Sequence, residues 1–340
     1  MSKRQRAREI GVAPGIYQPG RGNAITDVPG IRVGHVTLDD GADIHTGVTA
    51  IVPEQLVAGR SLPSGLFVGN GYGKLVGATQ LAELGEIETP IVLTGTLSTF
   101  RAADALVSYM LALPGNEALI SVNPVVGETN DGYLSDIRSR PVTEGHVLAA
   151  IREATGGPVA EGCVGAGTGT TALGFKSGIG TSSRVVEITE SLHVTVGVLV
   201  QANFGGSLRV MGVPIDPQAA LAGIDGGEPE QGNSCMIVVV TDVPLESRQL
   251  TRLATRAVFG MARVGASFSH GSGDYGIALS VGKGVSLPGS AMDSLFAAVQ
   301  EAVEEAILNS LFMAETTVGY RGRVRHAVPL GYVRERLSPR

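Results

Sequence analysis

The segment GGEPEQGNSCMIVVVTDV (226–243) brings one small hydroxyl residue, Ser234, to the front edge of an apolar, β-branched run. Two readings of that placement stay open. In one, a turn ends there and serine tolerates it. In the other, the backbone opens ahead of Ser234: its hydroxyl attacks the preceding carbonyl in an N→O acyl shift and cuts the chain between Asn233 and Ser234. Gly232 and Asn233 are the residue types that give such a shift its conformational freedom. The released α-amine has a reference pKa of about 7.7–8.0, so a sizeable fraction is neutral near pH 7 and can take the proton from the Oγ of its own residue. MIVVVTD (236–242), read as a strand, would hold that nucleophile on a rigid element.

Polar residues close other apolar runs and could serve such a hydroxyl. VLVQANFGG (198–206) leaves Asn203 where its amide could donate to an oxyanion, or where it merely turns the chain before Gly205 and Gly206. VVGETNDGYLSD (125–136) packs Glu128, Asn130, Asp131, Tyr133 and Asp136 behind a strand-like run, as the wall of a site or as a solvated loop. SHGSGDYGIALS (269–280) sets Ser272 and Asp274 among glycines, as a functional pair or an ordinary turn.

Other chemistries drop out. VGNGYGKL (68–75) fails as a phosphate loop, because Val68 stands where the first glycine of GxxxxGK[ST] belongs and Leu75 replaces the hydroxyl residue. GAGTGTTALGF (165–175) is glycine-rich but has no clear helix after it, as a dinucleotide site requires. The six histidines make no HExxH or other metal spacing, and His193 reads as a core or edge residue. No GxSxG elbow occurs. Neither a metal nor another cofactor is expected.

The elements that must position these groups are short. Strand-like runs bounded by Gly and Pro cover 30–38, 46–53, 65–71, 90–96, 118–128, 184–188, 192–205, 236–242 and 274–282. Helical patterns cover 98–113, opening on a Ser98 cap, 143–157, opening on Thr143, 245–265 and 290–315. In the last, Leu295, Val299, Val303 and Ile307 recur every four residues and imply one buried face. Strands in succession with four helices point to a layered α/β sandwich rather than a simple βαβ repeat.

The 340 residues show no linker or repeat and read as one domain. Hydrophobic residues make up 43% and tryptophan is absent, so Val, Leu, Ile and Ala must fill the core. The 48 glycines are about twice the usual share and imply many tight turns and close backbone approaches. A net charge of −6 argues against a general nucleic-acid binder. The basic start MSKRQRARE lacks an apolar stretch behind it and reads as a frayed or docked tail, not a signal peptide. No run approaches the about 20 apolar residues of a membrane span. Two cysteines without framework spacing fit a reducing cytoplasm.

GNSCMIVVVTDVPL, RLATRAVFGMARVG and HGSGDYGIALS together resemble the processing site and small subunit of the DmpA-type family, the L-aminopeptidase/D-amino-acid esterases grouped with β-peptidyl aminopeptidases. Upstream, ITDVPGIRVGH (25–35), GNGYGK (69–74), PIVLTGT (90–96), VVGETNDGYLSD, GAGTGT (165–170), FKSGIGTSSR (175–184) and VGVLVQANFG (196–205) are similar in the same order. The resemblance spans about residues 20–330. It implies a four-layer αββα sandwich, like that of the N-terminal-nucleophile hydrolases but with the topology shared by ornithine acetyltransferases. It also implies self-cleavage into subunits 1–233 and 234–340, grouped as homotetramers of αβ units.

Carried over by position, the resemblance makes Ser234 the nucleophile, Asn203 and Tyr133 the oxyanion groups, Ser272 and Asp274 a pair beside the nucleophile, and Glu128 the acid that meets the substrate amine. Asp274 stands where β-peptide specialists carry Glu, and this shorter arm leaves β-peptide preference open. Cys235 reads as a packed small hydrophobe. The implied activity removes N-terminal residues from short peptides, amino-acid amides or esters through an acyl-enzyme. Two alternatives differ in class: an acyl transferase with the same nucleophile, told apart by an amine accepting the acyl group, and an uncut scaffold protein.

Overall fold

The computed structural model describes residues 3–57, 59–223 and 233–338; Gly232 and the rest of the loop leading to Asn233 lie outside the described residues. Ten strands build the two main sheets. They are β1 (Ile31–Asp39), β2 (His45–Pro53), β3 (Leu62–Gly71), β4 (Glu86–Ile87), β5 (Ile91–Gly95) and β6 (Val125–Thr129), then β7 (Ile179–Thr189), β8 (Leu192–Phe204), β9 (Asn233–Thr241) and β10 (Gly273–Ser280). The smaller sheet runs β1-β2-β5-β6 and the larger β4-β3-β10-β9-β8-β7. Pairing is antiparallel except for β5–β6 and β9–β10. A parallel pair needs a crossover, and helices α1 (Thr99–Leu111) and, later, α3 (Ser247–Gly260) supply one each.

With α2 (Glu144–Arg152) and α4 (Met292–Phe312), the helices form the outer layers. Ala102, Leu106, Val147 and Ile151 pack α1 and α2 on Val48, Val92 and Val126 of the smaller sheet. Leu93 and Val125 meet Leu199, Met236, Val238 and Ile277 between the sheets. Leu253, Ala257, Leu295, Val299 and Ile307 of α3 and α4 cover Val198, Val200, Ile237 and Val239 on the far face of the larger sheet. The chain is a four-layer αββα sandwich, as expected. The packing is almost wholly aliphatic, as a chain this poor in aromatics requires.

Three local expectations need correction. The run 118–128 becomes a strand only from Val125, because Pro124 cannot donate to a ladder and Asn123 turns its N–H and amide to Glu88 Oε1, at 2.8 and 3.2 Å. Ser98 does not cap α1; it ends a 3-10 turn, Thr96–Ser98, and Thr99 Oγ1 donates to the Thr96 carbonyl at 2.9 Å. Helix α4 is buried on nearly all sides, not on one face, with Glu301, Glu304, Glu305 and Asn309 inside.

Those carboxylates are tolerable because cations reach them from distant segments. Arg8 and Arg184 pair with Glu305 at 2.9 and 2.8 Å, and Arg263 pairs with Glu304 at 2.5 Å. Arg8 belongs to the basic N-terminal tail, which is therefore docked. Among the described residues no helix is long and apolar enough to cross a membrane.

Candidate active site

Strand β9 lies at the centre of the larger sheet, antiparallel to β8 and parallel to β10. Its register sets Ser234 directly opposite Asn203 on β8 and level with Gly273 on β10. Adjacent strands run about 4.8 Å apart, so these three residues form one short row across the sheet. Side chains alternate along the strand. Met236, Val238 and Val240 enter the core between the sheets, whereas Cys235, Ile237 and Val239 enter the core under the helices. By that alternation Ser234, with Asn203 beside it, faces the slot between the two sheets.

Asn203 is buried and its amide orientation is fixed from both ends. Its Oδ1 accepts from the Thr171 N–H at 3.0 Å and its Nδ2 donates to the Asn130 carbonyl at 3.1 Å. One Nδ2 hydrogen remains for a third group. The bond to Asn130 also ties the row to the other sheet, since Asn130 follows β6. Two residues beneath Asn203, Gln201 Nε2 donates to the Thr94 and Ala166 carbonyls and to Thr129 Oγ1 at 3.2, 2.9 and 2.8 Å. The floor of the slot is thus a hydrogen-bonded seam rather than a sliding apolar contact.

Ser272 and Asp274 flank Gly273, both buried, and Ser272 Oγ donates to Asp274 Oδ1 at 2.8 Å. Asp274 Oδ2 has no hydrogen-bond partner among the described residues. Burial pushes this carboxyl up to about 6, with the Ser272 hydroxyl acting in the opposite direction. Next to it, burial and the charge of Asp274 raise the Cys235 thiol well above its ordinary value. A buried, protonated thiol is a packing group, as the sequence suggests.

Strand β6 brings Glu128 to the slot from the smaller sheet. Its Oε1 accepts the Lys74 N–H at 2.9 Å and lies 3.7 Å from the Lys74 ammonium. Its Oε2 is buried without a hydrogen-bond partner among the described residues. Beyond β6, Tyr133 is half-buried, with the guanidinium carbons of Arg325 and Arg323 at 4.2 and 5.1 Å from its ring centroid. Arg323 Nη1 also donates to the Gly132 and Tyr133 carbonyls at 3.4 and 3.3 Å, clasping that loop.

The expected residues Ser234, Asn203, Ser272, Asp274, Glu128 and Tyr133 therefore belong to neighbouring strand ends and one adjoining loop. Asp136, singled out in the same loop, does not belong with them: it caps the 3-10 turn Ile137–Ser139 through the Arg138 N–H. Asp131 is buried, takes a hydrogen bond from Thr46 Oγ1, and is pushed up to about 6 by burial.

Sequence reasoning passed over Lys74 and Tyr275. The GNGYGK segment fails as a phosphate loop, yet it is the strap that crosses from β3 to β6, where Val76 bridges Val126. A Cβ on its Gly73 would lie 3.0 Å from the Tyr275 ring, 3.1 Å from the Tyr275 hydroxyl and 3.2 Å from Glu128 Oε1, so the strap passes closely over both side chains and a Cβ there would press on them. The usable signal was alternation: Tyr275 is two residues beyond Gly273 and shares its face.

Potential metal ligands cluster once among the described residues, at Asp39, Asp40 and His45. There the Asp40 carboxylate already accepts the Ala42, Asp43 and Ile44 N–H groups at the β1–β2 turn.

The sequence pattern of peptidase family S58 matches residues 23–325. The beta-peptidyl aminopeptidase BapA of Sphingosinicella xenopeptidilytica is 39% identical, covering 95% of this chain and 89% of its own. The crystal structure of the PH0078 protein from Pyrococcus horikoshii OT3 superposes with a TM-score of 0.89 at 43% identity, covering 97% of this chain and 98% of that one. The L-aminopeptidase D-Ala-esterase/amidase from Ochrobactrum anthropi, described as a prototype of the serine aminopeptidases and a new variant of the Ntn hydrolase fold, gives 0.88 at 33% identity, covering 98% of both chains. The sandwich is that variant of the fold, and the chain belongs to peptidase family S58.

Proposed function

We propose that the protein is a serine aminopeptidase that matures by cutting its own backbone between Asn233 and Ser234, giving subunits 1–233 and 234–340. The observation that carries this reading is the register that sets Ser234, near the head of β9, opposite the buried amide of Asn203. The aminopeptidase activities named for the relatives support the same class of substrate: short peptides, amino-acid amides or esters. In the precursor, Ser234 Oγ adds to the Asn233 carbonyl, the C–N bond breaks, and water opens the resulting ester. In the mature protein the same oxygen attacks the scissile carbonyl and passes its proton to the new α-amine. The remaining Asn203 Nδ2 hydrogen and the Tyr133 hydroxyl receive the oxyanion. The leaving amine takes the proton, and water releases the acyl group. Ser272 and Asp274, at the head of the next strand, orient the α-amine, and Glu128 holds the ammonium of the substrate at a fixed reach. No step calls for a cofactor. A reducing cytoplasm suits the two free cysteines, and the family resemblance supports homotetramers of αβ units.

The amine assignment is tested with paired aminoacyl-anilides, one with a free amine and one N-acetylated. The free form is hydrolysed and the blocked form is not. Comparable cleavage of both would overturn the role of Glu128 and with it the aminopeptidase reading.

The pH profile follows from Asp274. Its pKa is raised to about 6, so it is neutral below that pH and ionised above it. Protonation of the α-amine sets one acid limb of kcat, and an ionised Asp274 that orients this amine adds a second, which falls as pH drops through about 6. In Asp274→Asn the lower limb should disappear and the plateau drop while the limb of the amine remains; an unchanged lower limb would mean that another group sets it.

A further inference from the structure

The end of the slot that holds Glu128 reads more of a substrate than its amine, an inference that rests on the role just given to Glu128. Oε1 is committed to the Lys74 N–H, whereas the buried Oε2 has no hydrogen-bond partner among the described residues. The Lys74 ammonium pairs with Oε1 at 3.7 Å, beyond hydrogen-bonding distance, and its side chain is 44% exposed, so its N–H donors make no hydrogen bond among the described residues. Tyr275 is buried, and its hydroxyl makes no hydrogen bond among the described residues. That hydroxyl and Glu128 Oε1 flank the same bare Gly73. An acceptor oxygen, an ammonium with free N–H donors and a hydroxyl, none hydrogen-bonded among the described residues, thus stand side by side.

Charge decides what fits. Glu128 and Lys74 together are neutral, so a substrate head carrying only an ammonium leaves two cations beside one anion. A head with an ammonium and a carboxylate on one carbon restores the balance. Its ammonium meets Glu128 Oε2, and its carboxylate meets Lys74 Nζ and the Tyr275 O–H. The other buried carboxylates nearby are already engaged by hydroxyl groups. Asp131 takes the Thr46 hydroxyl and is pushed up to about 6 by burial, and Asp274 takes the Ser272 hydroxyl and lies beside the amine that self-cleavage would release. When amine and free carboxylate share a carbon, the scissile carbonyl must belong to the side chain, and the shortest such residue is aspartate linked through its β-carboxyl.

We propose that this site takes isoaspartyl peptides and amides, holding the aspartyl head as a zwitterion between Glu128 and Lys74. Ser234 Oγ adds to the β-carbonyl, the C–N bond breaks, and the amine leaves with the proton. Water then splits the ester, giving free aspartate and restoring the hydroxyl.

The test compares kcat/KM for the p-nitroanilides of β-aspartate, α-aspartate and β-alanine, in the wild-type protein and in Lys74→Gln and Lys74→Arg. In the wild type, β-aspartyl is expected to exceed β-alanyl and α-aspartyl by at least about tenfold. Lys74→Gln should lower the β-aspartyl to β-alanyl ratio by a similar factor, and Lys74→Arg should restore much of it. A wild type that prefers β-alanyl or α-aspartyl, or a ratio unmoved by Lys74→Gln, overturns the zwitterion site and leaves the aminopeptidase standing. Failure on every free-amine anilide overturns both.

Discussion

Ser234→Ala is expected to run as a single 35.0 kDa polypeptide on a denaturing gel and to show no amidase activity. Both losses have one cause. On the proposed mechanism, removing the hydroxyl takes away the atom that would open the backbone, so no α-amine would form, and the atom that would carry the acyl group is gone as well. The substitution itself is mild. Ser234 sits in a β9 register fixed on both sides by β8 and β10, and alanine fits a buried strand position without strain. A folded, unbroken, inactive variant is therefore the outcome, with a far-ultraviolet spectrum like that of the wild type. Two bands from this variant would remove Ser234 from the nucleophile's role.

Asn203→Ala should lower turnover of aminoacyl-anilides by at least about tenfold, and by up to about 10²–10³ if the lost donor carries a full oxyanion contact. The effect should fall on kcat more than on KM, because the hydrogen bond strengthens only as charge develops on the carbonyl oxygen. The Asn203 amide also receives the Thr171 N–H and donates to the Asn130 carbonyl. The variant leaves both groups unpaired, at roughly 1–3 kcal/mol each, so its melting temperature should fall too. Slower self-cleavage is expected from the same loss, since on the proposed mechanism the precursor's tetrahedral intermediate would use the same donor. An unchanged rate in a folded variant would take Asn203 out of the oxyanion site.

Much of the candidate site was legible because its parts are local. Ser234, Asn203, Glu128 and the Ser272–Asp274 pair each end or begin an apolar run, and a polar residue at the edge of a buried strand is visible in one dimension. What the sequence could not show is which runs become neighbours. The pairing of Ser234 with Asn203 depends on register between segments 31 positions apart by number, and the strap over Glu128 links β3 to β6. Lys74 was hidden for that reason: it looked like a fragment of a failed phosphate loop.

Long-range pairing also explains the misreadings of the fold. The spacing of Leu295, Val299, Val303 and Ile307 correctly finds a buried face of α4. The burial of Glu301, Glu304 and Glu305 could not be foreseen, because their partners Arg8, Arg184 and Arg263 arrive from three other segments. Ser98 illustrates the reverse, a local rule overruled when the preceding residues form a 3-10 turn.

The central claim is that the backbone opens ahead of Ser234, and the mass of freshly purified wild-type protein tests it most directly. The account predicts two species whose masses correspond to residues 1–233 and 234–340, the smaller beginning with Ser234 by N-terminal sequencing. A single species at the full-length mass, persisting on incubation, would contradict it.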